Sequence, residues 1–418
     1  MKIAGVIAEY NPFHNGHLYH LQKIKSELRP DGIVCAMSGN FVQRGEPAVF
    51  DKWARAEMAL AGGADLVFEL PVCFSTATAE IFAESAVKLL SKTRVVNILS
   101  FGIEEYRENE LFILSRLLAE EPEPYRNMVK NHLKKGASFP LARERAAVEY
   151  LSSQGADCDA EAVSKLLKKP NSILAIEYIK AIIKTGSSLT VYPVIRKGAG
   201  YHDKTLGGTF PSASAIRHAL SSTENPLQQI AGNVPLFTFE IIKKEMEKGR
   251  GPVFLKDFET VLLFLLRRMA VQDMTAFFDV EEGLENRILR AARESGTLEE
   301  LIAGIKSKRY PATRIQRILI HLLLNIDREI VISRDPLYLR VLGFTEKGLK
   351  ILKQIKKESS LPILTRASEG KKLDLRARKM FEADLFSSDI YSLAFKSGPV
   401  RKGGTDFSKR VVYLSALK

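Results

Sequence analysis

The sequence predicts an α/β protein: a doubly wound parallel sheet in the amino-terminal half, then a helical region, then a small, basic, mixed α/β region. Three observations carry this prediction. Short apolar runs alternate with helix-period stretches from residue 2 to about 196, which is the pattern of βαβ units. From about 236 to 326 the apolar spacing is helical almost without interruption. Beyond about 331, basic residues gather around three extended segments.

Taken in order, KIAGVIAEY (2–10) alternates as a strand, GHLYHLQKIKSEL (16–28) as a helix and DGIVCAM (31–37) as a second strand. KWARAEMALAGG (52–63) is helical, ADLVFEL (64–70) extended, AEIFAESAVKLLSKT (79–93) helical and VVNILSFG (95–102) extended. Parallel strands joined by helices place ligands at the strands' carboxyl ends. Residues 103–170 are helical and charge-rich, an insertion ahead of the helix NSILAIEYIKAIIKTG (171–186), which stops at Gly186 after Lys184. SLTVYPVIR (188–196) is the next strand, followed by a glycine-rich loop and by SASAIRHALSS (212–222), where Ser212 is placed to cap the helix. The polar, proline-punctuated SSTENPLQQIAGNVP (221–235) marks a boundary, so the expected units are 1–225, 226–330 and 331–418. In the last of these, YLRVLGF (338–344), LPILTRAS (361–368) and RVVYL (410–414) are the extended candidates.

Composition narrows the function classes. A hydrophobic fraction of 45% with 27% charged residues suits a globular protein with a sizeable core. The start MKIAGVIAEY lacks the features of a secretory signal, and the longest apolar runs, VLLFLL (261–266) and ILIHLLLNI (318–326), fall short of the ~20 residues that cross a bilayer. A cytoplasmic protein with no membrane partner is expected. Cys35, Cys73 and Cys158 are odd in number and far apart, which argues against a disulfide framework and a zinc ribbon. The formal charge of +13 is unevenly placed: residues 1–300 hold 37 Lys and Arg against 38 Asp and Glu, whereas residues 301–418 hold 25 against 11. A polyanion-binding end joined to a near-neutral end accounts for that split, and a solvated basic surface that aids solubility is the alternative. Within the basic end, KSKRYPATRIQR (306–317) offers Lys306, Lys308, Arg309, Arg314 and Arg317 to phosphates, with Tyr310 as a stacking platform. KKLDLRARK (371–379) and VRKGG (400–404) add further basic residues.

Three of the seven histidines, His14, His17 and His20, fall in IAEYNPFHNGHLYH (7–20). The loop NPFHNGH joins a strand ending at Tyr10 to a helix starting near Gly16, where a doubly wound sheet binds its ligand. A helix N-terminus presents unpaired N–H groups and partial positive charge to phosphate, and Gly16 leaves room for close backbone approach. His14 and His17 can then donate to charge developing on a transferred phosphoryl group. A metal centre needs three or four converging ligands; no cysteine and few carboxylates lie nearby at ligand spacing, so no protein-held metal is expected. His20 either lines the site or packs. Farther on, Ser212 and Ser214 supply hydroxyls at a helix start, and Arg217 supplies a forked cation for a polyphosphate.

These segments resemble known signatures. YNPFHNGH, from Tyr10 to His17, resembles the F-D-P-x-[TH]-x-G-H signature of the HIGH-type nucleotidylyltransferase superfamily, and SASAIR, from Ser212 to Arg217, resembles its second signature. Over essentially its whole length the chain resembles the bacterial tRNA(Met) cytidine acetate ligase family, through GVIAEYNPFHNGHLYHL (5–21), MSGNFVQRGEPAVFDKWARAEMAL (37–60), GADLVFELP (63–71), PNSILAIEYIKA (170–181) and RKGAGYHD (196–203). That resemblance implies a Rossmann-like catalytic domain that uses ATP and Mg²⁺, activates acetate as acetyl-adenylate and acetylates N4 of the wobble cytidine of elongator tRNA(Met). It implies that ATP lies on Ile7, Ala8, Glu9, Tyr10, Asn11, Pro12, Phe13, His14, Asn15, Gly16, His17, Leu18, Tyr19 and His20, and on Gly102, Asn171 and Arg196. The residues themselves leave alternatives open: Gly102 is also a turn glycine, Asn171 also an N-cap, and Arg196 with Lys197 also an exposed strand-end pair. Arg44, Lys52 and Arg55 can serve substrate or RNA, and Lys52 and Arg55 equally a helix surface. Asn11 stands where the superfamily has Asp and is not assigned to magnesium, and Pro211 replaces the usual aliphatic residue.

Two other classes share part of the pattern. A cofactor-making adenylyltransferase would carry both signatures without needing the basic end. A non-catalytic RNA-binding protein would keep the basic end and tolerate loss of His14 or His17. The absence of a P-loop and of G-x-G-x-x-G weakens kinase and NAD-dependent readings.

Overall fold

The computed structural model describes residues 1–196, 211–222, 224–281 and 283–415. Its centre is one twisted sheet. Strands β1 (Ile3–Ala8) and β2 (Gly32–Ser38) pair in parallel, a small antiparallel hairpin of β3 (Phe41–Val42) and β4 (Glu46–Pro47) follows, and β5 (Leu66–Leu70) pairs in parallel with β2. The chain then returns to the other side of β1 with β6 (Ile98–Ile103), and β7 (Thr190–Ile195) lies outside it, both in parallel. The strand order β5-β2-β1-β6-β7 therefore reverses direction at β1. A crevice opens at the carboxyl ends of β1 and β6 for that reason.

Both faces of the sheet are covered, and the strands accordingly read as almost unbroken apolar runs. The two-residue period sorts their side chains. Ile3, Val34, Ala36, Leu66 and Phe68 join one core with the helices Ala79–Lys92 and Pro170–Thr185. Ala4, Val6, Ile33, Cys35, Met37 and Val67 join another with helices α1 (Asn15–Lys23), α2 (Lys52–Ala61) and Leu236–Glu247. The helix expected over 16–28 holds to Lys23 and then widens into a π-type turn, Ile24–Leu28. The expected insertion forms four helices, Glu108–Glu120, Glu123–Lys134, Phe139–Ser153 and Ala160–Leu166. Among the described residues no helix is long and apolar enough to cross a membrane.

The carboxyl-terminal segments complete this sheet. Strand β8 (Leu339–Thr345) pairs antiparallel with β5, β9 (Ile363–Leu364) lies beside β8, and β10 (Val412–Leu414) runs parallel to β8. The partition drawn at 331 thus separates segments that share one sheet. A buried polar network ties them further: Lys52 Nζ donates to both oxygens of Glu69 and to Asp406 Oδ2, each at 2.9 Å, and Ser388 Oγ donates to Asp406 at 2.8 Å. Tyr338 and the Val72 N–H donate to Asp384.

Lys52 and Arg55 are therefore neither substrate contacts nor surface groups; both are completely buried. Arg55 spends its guanidinium on the backbone carbonyls of Glu9, Ser38, Gly39 and Phe50. It thereby fixes the loops that leave β1 and β2.

Candidate active site at the sheet's reversal point

A cavity of about 390 Å³ lies at the carboxyl ends of β1, β6 and β7. Helix α1 starts at its floor, and His14 caps it: its Nδ1 accepts the Gly16 N–H at 3.0 Å. The His14 N–H in turn donates to His17 Nδ1 at 3.2 Å, so the two imidazoles form a reciprocal cap and stack with centroids 3.7 Å apart. A Cβ on Gly16 would sit 2.9 Å from His14 Cε1, so the missing side chain makes room for this ring.

The cap also sets the tautomers. An Nδ1 that accepts a backbone N–H carries no proton, so each neutral ring holds its proton on Nε2. Burial, followed by the charges of Arg196 and Arg217, pushes the His14 imidazole down to about 3. Burial and then His14, Arg196 and His20 push His17 well below its usual range. Both rings are thus neutral hydrogen-bond donors at pH 7. His20 places Nε2 2.9 Å from Ser100 Oγ, and burial with Arg196 pushes it down to about 4.

The second signature forms the facing wall. Ser212 Oγ accepts the Ala215 N–H at 3.0 Å, capping the helix Ala213–Ser222. Arg217 donates from Nη1 to the Asn11 carbonyl at 3.0 Å and from Nη2 to Ser214 Oγ at 3.2 Å. The two signatures, some two hundred residues apart, are joined by that guanidinium and line the same cavity through His14, His17, Ser212 and Arg217. Arg196 crosses Gly102, where a Cβ would lie 3.2 Å from its Cγ. At the next helix start, Glu104 accepts the N–H and side-chain donors of both Asn171 and Ser172, at 2.7–3.0 Å. Burial alone would raise Glu104, yet these bonds outweigh it and hold the carboxyl below its usual value.

Of the segment 7–20, the cavity is lined by Ile7, Ala8, Glu9, Tyr10, Asn11, His14, Gly16, His17, Tyr19 and His20, and from farther away by Gly102, Asn171 and Arg196. Pro12, Phe13, Asn15, Leu18 and Ser214 stand outside its lining. Phe13 packs between Tyr10 and Phe237, Asn15 donates to the Gly232 carbonyl at 3.1 Å, and Leu18 packs on the core of the α1 face. The Asn11 side-chain oxygen accepts the Val49 N–H at 2.8 Å. Lys197 and the rest of RKGAGYHD lie outside the described residues. Sequence reasoning missed the apolar end of the cavity, Phe82, Phe101, Ile173, Leu174 and Tyr178. These residues read as ordinary core positions on their own elements.

The basic end looks different from its sequence. Lys306, Lys308 and Arg309 are exposed. Arg314 binds Asp279 at 3.2 Å and Arg317 approaches it at 3.7 Å. Tyr310 is only 8% exposed, with Arg309 and Arg314 over its ring, so the stacking platform expected there is covered.

A sheet of this order, with a histidine cap at the first helix and an arginine across the crevice, defines a nucleotidyl transferase. The chain belongs to the HIGH nucleotidyl transferase family, whose profile matches residues 1–406. It is 48% identical over 415 residues to the tRNA(Met) cytidine acetate ligase of Thermoanaerobacter sp. (strain X514), covering 99% of this chain and all of that one. The protein of the same name from Caldanaerobacter subterraneus subsp. tengcongensis is 44% identical over the same shares of the two chains. Crystal structures of Thermotoga maritima TmcAL, 39% identical and covering the whole of both chains, superpose with TM-scores of 0.95 for the apo form and 0.93 for the form bound with alpha-thio ATP.

Proposed function

We propose that this protein is an ATP-dependent ligase that activates acetate as acetyl-adenylate and transfers the acetyl group to N4 of the wobble cytidine of elongator tRNA(Met). The observation that carries the reading is the single cavity shared by the His14–His17 cap and the Ser212–Arg217 turn. The α1 start and the two Nε2–H donors face the charge that builds on the α-phosphoryl oxygens, and Arg217 and Arg196 offset the polyphosphate. The apolar end, with Phe82 and Phe101, suits a nucleobase. Acetate attacks the α-phosphorus as an anion and displaces diphosphate, so this step needs no general base.

No group of three or more His, Cys, Asp or Glu side chains among the described residues is arranged to hold a metal. The described residues do not make a resident magnesium site. Mg²⁺ is read as part of the substrate, carried by the triphosphate and its waters, and no step is assigned to it. Lys306, Lys308 and Arg309 are proposed as tRNA phosphate contacts; Arg314 and Arg317 are proposed chiefly as supports for that surface through Asp279.

The test supplies ATP, Mg²⁺ and labelled acetate with bulk tRNA or none. Expected are acetate-dependent AMP release and label on a tRNA cytidine without acetyl-CoA. Label in a small nucleotide cofactor would instead indicate a cofactor-making adenylyltransferase.

A further inference from the structure

We propose that Glu9 is the general base of the acetyl-transfer half-reaction, its carboxylate taking the proton that the cytidine N4 amine releases as it is acylated. This rests on the ligase reading and concerns only its second step. There the N4 lone pair forms a bond to the acetyl carbonyl carbon, the C–O bond to the adenylate phosphate breaks, and AMP leaves as its anion. One N–H proton must pass to an acceptor beside the reacting amine, which is where a positioned base contributes most.

Among the described residues the cavity offers few acceptors. His14 and His17 have Nδ1 occupied by backbone N–H groups and Nε2 already protonated. His20 spends Nε2 on Ser100. Arg44, Arg196 and Arg217 carry guanidinium groups, which are donors only, and burial makes the Tyr10 and Tyr178 phenols harder to ionise. Glu9 is the one carboxylate lining the cavity among the described residues.

Its placement suits the task. Glu9 follows β1 at the reversal point, its carbonyl is held by Arg55, and its Oε1 accepts the Gln43 N–H at 2.9 Å. A carboxylate so anchored keeps lone pairs for a second donor. Burial raises its affinity for a proton and outweighs the Gln43 bond and the charges of Arg217 and Arg44, while Glu46 adds to the rise. Arg55 on α2 and Tyr178 on the helix Pro170–Thr185 are the other ionisable neighbours. The adenylation step, with its anionic nucleophile, has no use for such a base.

Glu9→Gln keeps the shape and an acceptor for the Gln43 N–H, so it separates the half-reactions. Acetate-dependent ATP–diphosphate exchange reports what the substitution costs nucleotide binding and adenylation, and single-turnover transfer from enzyme-bound acetyl-adenylate to tRNA is expected to fall about 10²- to 10⁴-fold beyond that loss. In the wild-type protein, single-turnover transfer from pre-formed acetyl-adenylate, which does not depend on the ionisation of free acetate, should slow on acidification with a midpoint above the ordinary glutamate value of 4.5. The proposal is overturned by undiminished transfer in the variant, by equal loss of exchange and transfer in a variant that melts like the wild type, or by a transfer rate indifferent to acidification. Absence of exchange in the wild-type protein would remove the ligase reading itself.

Discussion

At the scale of single residues, the histidine cap links backbone geometry to chemistry: the bonds that start α1 also fix which nitrogen carries each proton. His17→Ala removes one donor and half of the cap. Adenylate formation is expected to fall about 10²- to 10³-fold, measured as ATP–diphosphate exchange, with tRNA affinity in a gel-shift unchanged; full exchange activity would contradict the assignment. A second histidine gives a stability test. His321 is buried, contacts Thr76 Oγ1 at 3.1 Å, and is pushed by burial and then Arg317 from its ordinary 6.5 down to about 3. Between those values the unfolded chain binds a proton that the folded chain refuses, so stability falls as pH falls through this window. His321→Gln is expected to lose about 2 kcal/mol less than the wild type between pH 7 and pH 5 in urea unfolding; parallel curves would refute this. That His14, His17 and Arg217 meet at one cavity was legible because each lies in a short motif at a helix start; their part in the chemistry is what the His17→Ala measurement tests. Lys52 was misread because its partners Glu69 and Asp406 lie 17 and 354 residues away, and no local pattern reveals burial.

At the scale of elements, the β3–β4 hairpin joins the cavity to the basic end. Gln43 and Arg44 line the cavity, while on the other side Gln316 Nε2 reaches Glu46 at 3.4 Å. Gly45, at φ +76°, turns the hairpin, and a Cβ there would sit 2.3 Å from the Arg317 backbone nitrogen. Gly45→Ala is therefore expected to cost about 1–2 kcal/mol for the left-handed backbone alone, and more for the displaced helix Ala312–Leu323. Denaturant unfolding measures the loss; an unchanged midpoint would mean the hairpin and helix are not in register. Apart from the β3–β4 hairpin and the short turn Val72–Ser75, the strands and the longer helices around them in the first half were legible to within a few residues, because each carries its own period. The pairing of β8 with β5 was not, since an antiparallel neighbour supplied from 270 residues downstream leaves no mark on either strand.

At the scale of the whole molecule, the carboxyl-terminal segment does two jobs. It closes the edge of β5 and supplies Asp406 to the buried Lys52. A chain ending at residue 330 would expose that edge and strip Asp406 and Ser388 from around the buried Lys52–Glu69 pair. Such a chain is expected to be insoluble; a soluble, ATP-binding fragment would contradict this. The same segment carries the surplus of basic residues, so tRNA affinity should drop at least about tenfold between 50 and 200 mM salt while acetate-dependent exchange changes little. The two signatures are expected to grip one triphosphate. The most direct measurement is a crystal structure of this protein with a non-hydrolysable ATP analogue. The phosphates are expected between the His14–His17 cap and Arg217, within hydrogen-bonding reach of both, whereas a nucleotide seated in another cavity, or touching only one of the two, would contradict a shared grip.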